Sequence, residues 1–197
     1  MSIRKTSLSI AAALLGLAAT GPMARAAYVE NLQEVGSDVV ATGSGTINTS
    51  GLGSPGFGGE AGGYLNPSQS FVLVGGPTGG GETAIYNTSI TGPSSFGSGG
   101  GIAGTTSSGD PVGLFYPDQI NVPLGYVSGD PLSSTSTFAG ETLSSLGVTP
   151  GTYTWSWGDG STADSFTLVA TAAVPEPASL GLIGVGCLSL LARRRRA

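Results

Sequence analysis

The 197-residue chain has no histidine, one cysteine and only seven lysines and arginines. All seven cations lie near the ends, as Arg4, Lys5 and Arg25, then Arg193, Arg194, Arg195 and Arg196. Residues 27–174 therefore carry acidic charge alone, holding all 12 Asp and Glu residues except Glu176. Nucleic acid is excluded as a partner, because phosphate recognition needs clustered Lys and Arg. With His, Cys and Lys missing from that span, there is no Ser–His or Cys–His pair, no Schiff-base lysine and no imidazole or thiolate zinc site. Carboxylate-only catalysis of the glycosidase kind needs two positioned acids, and nothing in the spacing singles out a pair. No catalytic residue, cofactor or metal ligand is expected. The lone Cys187 rules out a disulfide framework and, set among Gly and Leu, reads as a small apolar residue.

What is abundant is glycine (35) and proline (12), together just under a quarter of the chain. That share approaches the low-complexity range. Against disorder stand a 39% hydrophobic content and only 10% charged residues, since disordered chains are poor in apolar groups. The length holds one ordinary domain plus two terminal segments.

Residues 1–26 follow the signal-peptide recipe. Arg4 and Lys5 form the charged start and residues 8–19 the apolar stretch; Gly21 and Pro22 break it before Ala24-Arg25-Ala26. This small-x-small pattern, with Ala24 and Ala26 at its ends, is what signal peptidase accepts. The apolar stretch is short of the ~20 residues that a comfortable membrane span wants, which favours cleavage after Ala26.

Residues 174–197 run Val174-Pro175-Glu176-Pro177-Ala178, then an uncharged segment to Ala192, then four arginines and Ala197. The two prolines fix their own φ angles and extend the residues before them, a form that a protease cleft can read. Residues 178–192 make a short transmembrane helix, and arginine side chains reaching the headgroups compensate part of the shortfall. The arginine cluster keeps the C-terminus cytoplasmic and acts as a stop-transfer signal.

In that order, and paired with a signal peptide, these features resemble the PEP-CTERM sorting signal of exosortase substrates from Gram-negative bacteria that make extracellular polysaccharide. The resemblance implies Pro175, Glu176 and Pro177 as the sorting motif. It also implies removal of the tail by a membrane-embedded, exosortase-like cysteine transpeptidase. The precursor would then sit in the inner membrane with its domain in the periplasm, before release to the cell surface or medium.

The exported middle, residues 27–173, has the periodicity of strands. Residues 152–157 alternate hydroxyl and aromatic side chains, placing Tyr153, Trp155 and Trp157 on one face. Gly158-Asp159-Gly160-Ser161 supplies a turn, and residues 164–170 return with Phe166 and Leu168 on one side, making a β-hairpin. Further strands are expected over 38–47, 71–74, 84–90, 112–116, 120–127 and 134–138, with one short helix over 139–146 ended by Gly147 and Pro150. The fold class is all-β, a glycine-rich sandwich or barrel. Glycine-rich stretches 51–63 and 97–104 lack a strand–helix context or a following Lys, and read as mobile loops rather than phosphate loops. Ser108-Gly109-Asp110-Pro111 recurs at residues 128–131 as a second, similar turn. Asp159, Asp164 and the two Gly-Asp-Pro turns could hold Ca²⁺, but without an Asp-x-Asp-x-Asp-Gly loop the turn role is preferred. Trp155 and Trp157 read as core residues, with a glycan-stacking platform as the alternative.

The expected function is that of a non-enzymatic surface or matrix protein associated with exopolysaccharide or biofilm. A carbohydrate-binding or adhesive module is the alternative, and a carboxylate-only hydrolase the third reading.

Overall fold

The computed structural model describes residues 27–58, 62–77 and 81–172. Thirteen strands follow in order: β1 Tyr28–Val35, β2 Asp38–Gly45, β3 Gly56–Gly58, β4 Tyr64–Asn66, β5 Phe71–Val74, β6 Thr83–Asn87, β7 Ile102–Ala103, β8 Thr106–Gly109, β9 Val112–Phe115, β10 Gln119–Pro123, β11 Leu132–Phe138, β12 Gly151–Trp157 and β13 Asp164–Thr171. Six make one sheet in the order β12-β13-β1-β2-β11-β8, and seven make the other in the order β3-β6-β10-β9-β5-β4-β7. Both sheets are open. The all-β expectation holds, as two leaves over a shared core rather than a closed barrel.

Alternation explains the layering, because successive side chains of a strand point to opposite faces. In the six-stranded sheet Tyr28 and Leu32, Val39 and Ala41, Leu132 and Phe138, Trp155 and Trp157, and Phe166 and Leu168 all turn inward. From the seven-stranded sheet Leu65, Val72, Val74, Val112, Leu114, Ile120 and Val122 meet them in one hydrophobic cluster. At one side the chain passes from edge strand β7 to edge strand β8 through Gly104 and Thr105 alone. A hydrogen bond also ties the leaves, from the Gly75 amide to Ser136 Oγ at 3.0 Å. Gly75 has φ +75°, and a side chain there would run into the Asp110 carbonyl and Ser134, so this crossing requires glycine.

The 152–157 and 164–170 hairpin forms as expected, with Trp155 opposite Phe166 and Tyr153 opposite Leu168. β5 has its expected bounds, and the strands over 38–47, 84–90, 112–116, 120–127 and 134–138 are present with shifted ends. Strand β1 has no counterpart in the sequence reading. It sits between β2 and β13, antiparallel to the first and parallel to the second. Glu30 occupies an inward position between Tyr28 and Leu32 and breaks the apolar period that would have revealed the strand.

Residues 139–146 are a correction: they form turns, not a helix, and no α-helix occurs among the described residues. One bond of helical spacing is made, from the Leu146 amide to the Thr142 carbonyl at 3.0 Å. A helix this short does not recover its nucleation cost. The Thr142 and Ser145 side chains bond nearby backbone instead, the Glu34 carboxylate takes the Leu143 amide at 2.7 Å, and Gly140 and Gly147 bracket the segment at positive φ. Leu143 and Leu146 are thereby driven into the core.

The stretch 97–104 is a second correction, being pinned rather than loose. The Ser98 and Gly99 amides donate to the Gly147 carbonyl, the Ser68 amide donates to the Gly99 carbonyl, and Gly97 bridges to Val148.

A polar cluster interrupts the core. The Tyr28 hydroxyl bonds Ser134 Oγ across Gly43, and the Glu30 carboxylate lies over the same glycine. Glu30 is fully buried and neither carboxylate oxygen has a hydrogen-bond partner among the described residues. Burial holds its carboxyl well above the ordinary carboxylate range, which keeps it protonated more readily in the folded state. Burial and the Glu30 charge likewise raise the Tyr28 hydroxyl.

Candidate functional site

The face of the seven-stranded sheet turned away from the core has a composition that its inward face lacks. Inward residues of β5, β9 and β10 are Val72, Val74, Val112, Leu114, Ile120 and Val122. The outward residues form two rows across adjacent strands. One row runs Asn66, Phe71, Phe115, Gln119, Asn87. The other runs Tyr64, Leu73, Gly113, Asn121, Ile85. Because cross-strand partners sit side by side on one face, the aromatic residues gather over β4, β5 and β9, and Gln119 and Asn121 stand beside them on β10.

Gly113 leaves the second row without a side chain between Leu73 and Asn121. A Cβ there would come to 2.7 Å from Leu73 Cδ1, so that leucine lies partly over the glycine. The resulting groove, about 370 Å³, is lined by Tyr64, Phe71, Leu73, Ile85, Phe115, Gln119 and Asn121. Its aromatic wall is continuous: ring centroids lie 5.1 Å apart for Tyr64–Phe71 and 4.9 Å apart for Phe71–Phe115, both pairs tilted. The three rings are half-buried and keep part of their surface toward solvent.

Asn121 is 4% exposed, and its Oδ1 has no hydrogen-bond partner among the described residues. An unsatisfied buried acceptor costs about 1–3 kcal/mol, a deficit that a donor entering the groove would offset. None of the lining residues carries a charge. Apolar walls with a few placed polar groups are the usual make-up of a small-molecule site.

The two tryptophans lie elsewhere. Trp155 is 0% exposed and Trp157 3%, both on the inner face of the six-stranded sheet. The Trp155 indole donates to the Pro93 carbonyl at 2.8 Å and meets Phe96 and Phe166 edge-on. A stacking platform needs an exposed ring, so their place in the core corrects the glycan-contact alternative at Trp155 and Trp157.

The acidic turns serve backbone. Asp164 takes the Asn48 amide at 2.6 Å and the Ser165 amide at 2.7 Å, Asp110 takes the Ser133 amide at 2.9 Å, and Asp159 closes a capping box with Thr162. Among the described residues no group of three or more acids, His or Cys is placed to hold a metal ion.

The groove residues lie in strands that the sequence reveals, yet the site is not evident there. Its signal is the mixture of aromatic and amide residues at alternate positions, Phe71 and Leu73, Gly113 and Phe115, Gln119 and Asn121, opposite an all-aliphatic face. Only strand order shows that these short alternations join.

Ala24, Ala26, Pro175, Glu176, Pro177 and Arg193, Arg194, Arg195 and Arg196 lie outside the described residues, as does the expected transmembrane segment. Among the described residues no helix is long and apolar enough to cross a membrane. Residues 173–196 match the family model of the PEP-CTERM protein-sorting motif. The chain ends in a PEP-CTERM sorting tail. The tail implies export, sorting to the cell surface and an exosortase-type processing partner. Compared with curated proteins and with solved structures, the chain gives no match. The PEP-CTERM tail thus speaks for the route of the protein, and the domain has to be read from its own geometry.

Proposed function

We propose that this protein is a non-catalytic component of the cell surface or extracellular matrix, sorted by an exosortase-type enzyme and associated with exopolysaccharide. The sorting motif at 173–196 is the observation that carries this reading. Signal peptidase removes residues 1–26 after Ala26, and the arginine cluster holds the precursor in the inner membrane of a Gram-negative cell with its domain in the periplasm. Processing near Pro175-Glu176-Pro177 then frees the domain. The want of His, Lys and Cys between residues 27 and 174 supports a binding or structural role over catalysis. A carbohydrate-binding or adhesive role is favoured within this reading by the outer-sheet groove.

Fractionation of the native host tests the proposal. Wild-type protein is expected at the surface or in the exopolysaccharide fraction, and a variant with Pro175, Glu176 and Pro177 all changed to Ala should stay in the inner membrane. Equal release of the two proteins would refute sorting through this motif.

A further inference from the structure

We infer that the groove on the outer face of the seven-stranded sheet binds an uncharged polysaccharide built of pyranose rings. Phe71 and Phe115 supply the stacking surface; Asn121 and Gln119 read the hydroxyls. This deepens the reading of an exopolysaccharide-associated protein and rests on it.

Three features of the site select the ligand class. First, a pyranose has an apolar face of C–H groups and a rim of hydroxyls. The groove has the matching halves, with Tyr64, Phe71 and Phe115 on one side and the amides of β10 on the other. A purely apolar partner would leave the amides without hydrogen bonds, and a purely polar one would gain nothing from three half-exposed rings.

Second, Asn121 Oδ1 is a buried acceptor in the groove lining with no hydrogen-bond partner among the described residues. It calls for an O–H or N–H donor, which a carboxylate, sulfate or phosphate group does not provide. A sugar hydroxyl does, and it can also accept from a neighbouring N–H of Gln119 or Asn121.

Third, charge decides between neutral and acidic glycans. No Lys, Arg or His exists between residues 27 and 174, and all the acids but Glu176 lie there. A polyuronate would approach a surface of its own sign and find no cation to pair with. A neutral chain meets no such barrier.

The test uses mature protein purified from the native host, with affinity measured by gel retardation and calorimetry against a soluble neutral glucan, a neutral mannan and a polyuronate. The variants are Phe115→Ala, Gln119→Ala and, as a control on the outer face of the other sheet, Thr154→Ala. Circular dichroism and melting identify any variant that fails to fold. Gln119 is half-buried at the groove rim, so its variant keeps the test valid if Phe115→Ala unfolds.

The expected result is binding to at least one neutral glycan and none to the polyuronate. Phe115→Ala should weaken it by about tenfold or more and Gln119→Ala by several-fold, as for central and peripheral contacts of an interface. Thr154→Ala should change nothing. Preference for the polyuronate, or binding that both groove variants leave intact, overturns the assignment. So does a concentration-dependent dimer that Phe115→Ala abolishes.

Co-sedimentation with the host's own exopolysaccharide separates the two levels of the argument. If wild-type protein and both groove variants co-sediment equally, the matrix role stands and the groove assignment falls. If none of them co-sediments, the matrix role falls as well.

Discussion

Trp155 and Trp157 sit two residues apart on the same strand face, both buried, and their indole nitrogens differ in hydrogen bonding. The Trp155 indole N–H donates to the Pro93 carbonyl at 2.8 Å, and that carbonyl also accepts from Ser70 Oγ at 2.9 Å. The Trp157 indole nitrogen is buried and has no partner among the described residues. Substituting Phe for either removes the same pyrrole portion of the ring, so the packing loss is similar in kind. The hydrogen-bond terms have opposite signs. At Trp155 a made bond worth about 0.5–1.5 kcal/mol is lost, although Ser70 keeps the Pro93 carbonyl satisfied. At Trp157 a buried donor whose desolvation costs about 1–3 kcal/mol is deleted. Trp155→Phe should therefore destabilise by at least ~1.5 kcal/mol more than Trp157→Phe. Trp155→Ala, which also empties the space between Phe96 and Phe166, should cost about 3–5 kcal/mol of a total near 5–15. Urea denaturation followed by far-ultraviolet circular dichroism gives all three differences. Equal losses for the two Phe variants would refute the hydrogen-bond argument, and a Trp155→Ala variant within about 0.5 kcal/mol of wild type would refute the core assignment.

Glu30, raised above its ordinary value of 4.5, holds its proton in the folded state where the unfolded chain has lost it. Its contribution is thus fully present below pH 4.5 and declines above it, by up to about 1.4 kcal/mol per pH unit until the folded-state value is reached. Glu30→Gln should flatten that slope in melts taken between pH 4 and 7; an unchanged slope would show that the carboxyl ionises freely in the fold. Gly43→Ala should cost about 1–3 kcal/mol by overpacking against the Tyr28 hydroxyl and the Glu30 carboxylate, and a neutral effect in thermal melts would contradict the close approach. Intact-mass measurement of protein from the native host should show loss of the first 26 residues and of the last ~20, with the C-terminal arginines retained by the inner membrane; recovery of Ala197 at the surface would contradict tail processing.

The sequence by itself determined the route and the fold class. Signals for export and sorting are linear, read by membrane enzymes from an extended segment, an apolar span and a run of charge. They need no tertiary partner to be legible. The β class was also local, because the period of two in 152–157 has only one conformation that buries one face, and short apolar runs such as 71–74 are bounded by turn residues. The Trp-bearing hairpin followed from turn chemistry between two alternating runs.

Tertiary structure decided what local pattern could not. β1 is a central strand with a glutamate at an inward position, and only its place between β2 and β13 turns Glu30 inward. Residues 139–146 have a helix-like pattern of leucines, but a one-turn segment goes where its two leucines find the core and its amides find Glu34 and Thr142. The groove was the furthest from reach. Phe71, Phe115 and Asn121 come from three strands whose order places β5 beside β9 and β9 beside β10, and hydrogen-bond register, a non-local property, sets them in two adjacent rows on one outward face.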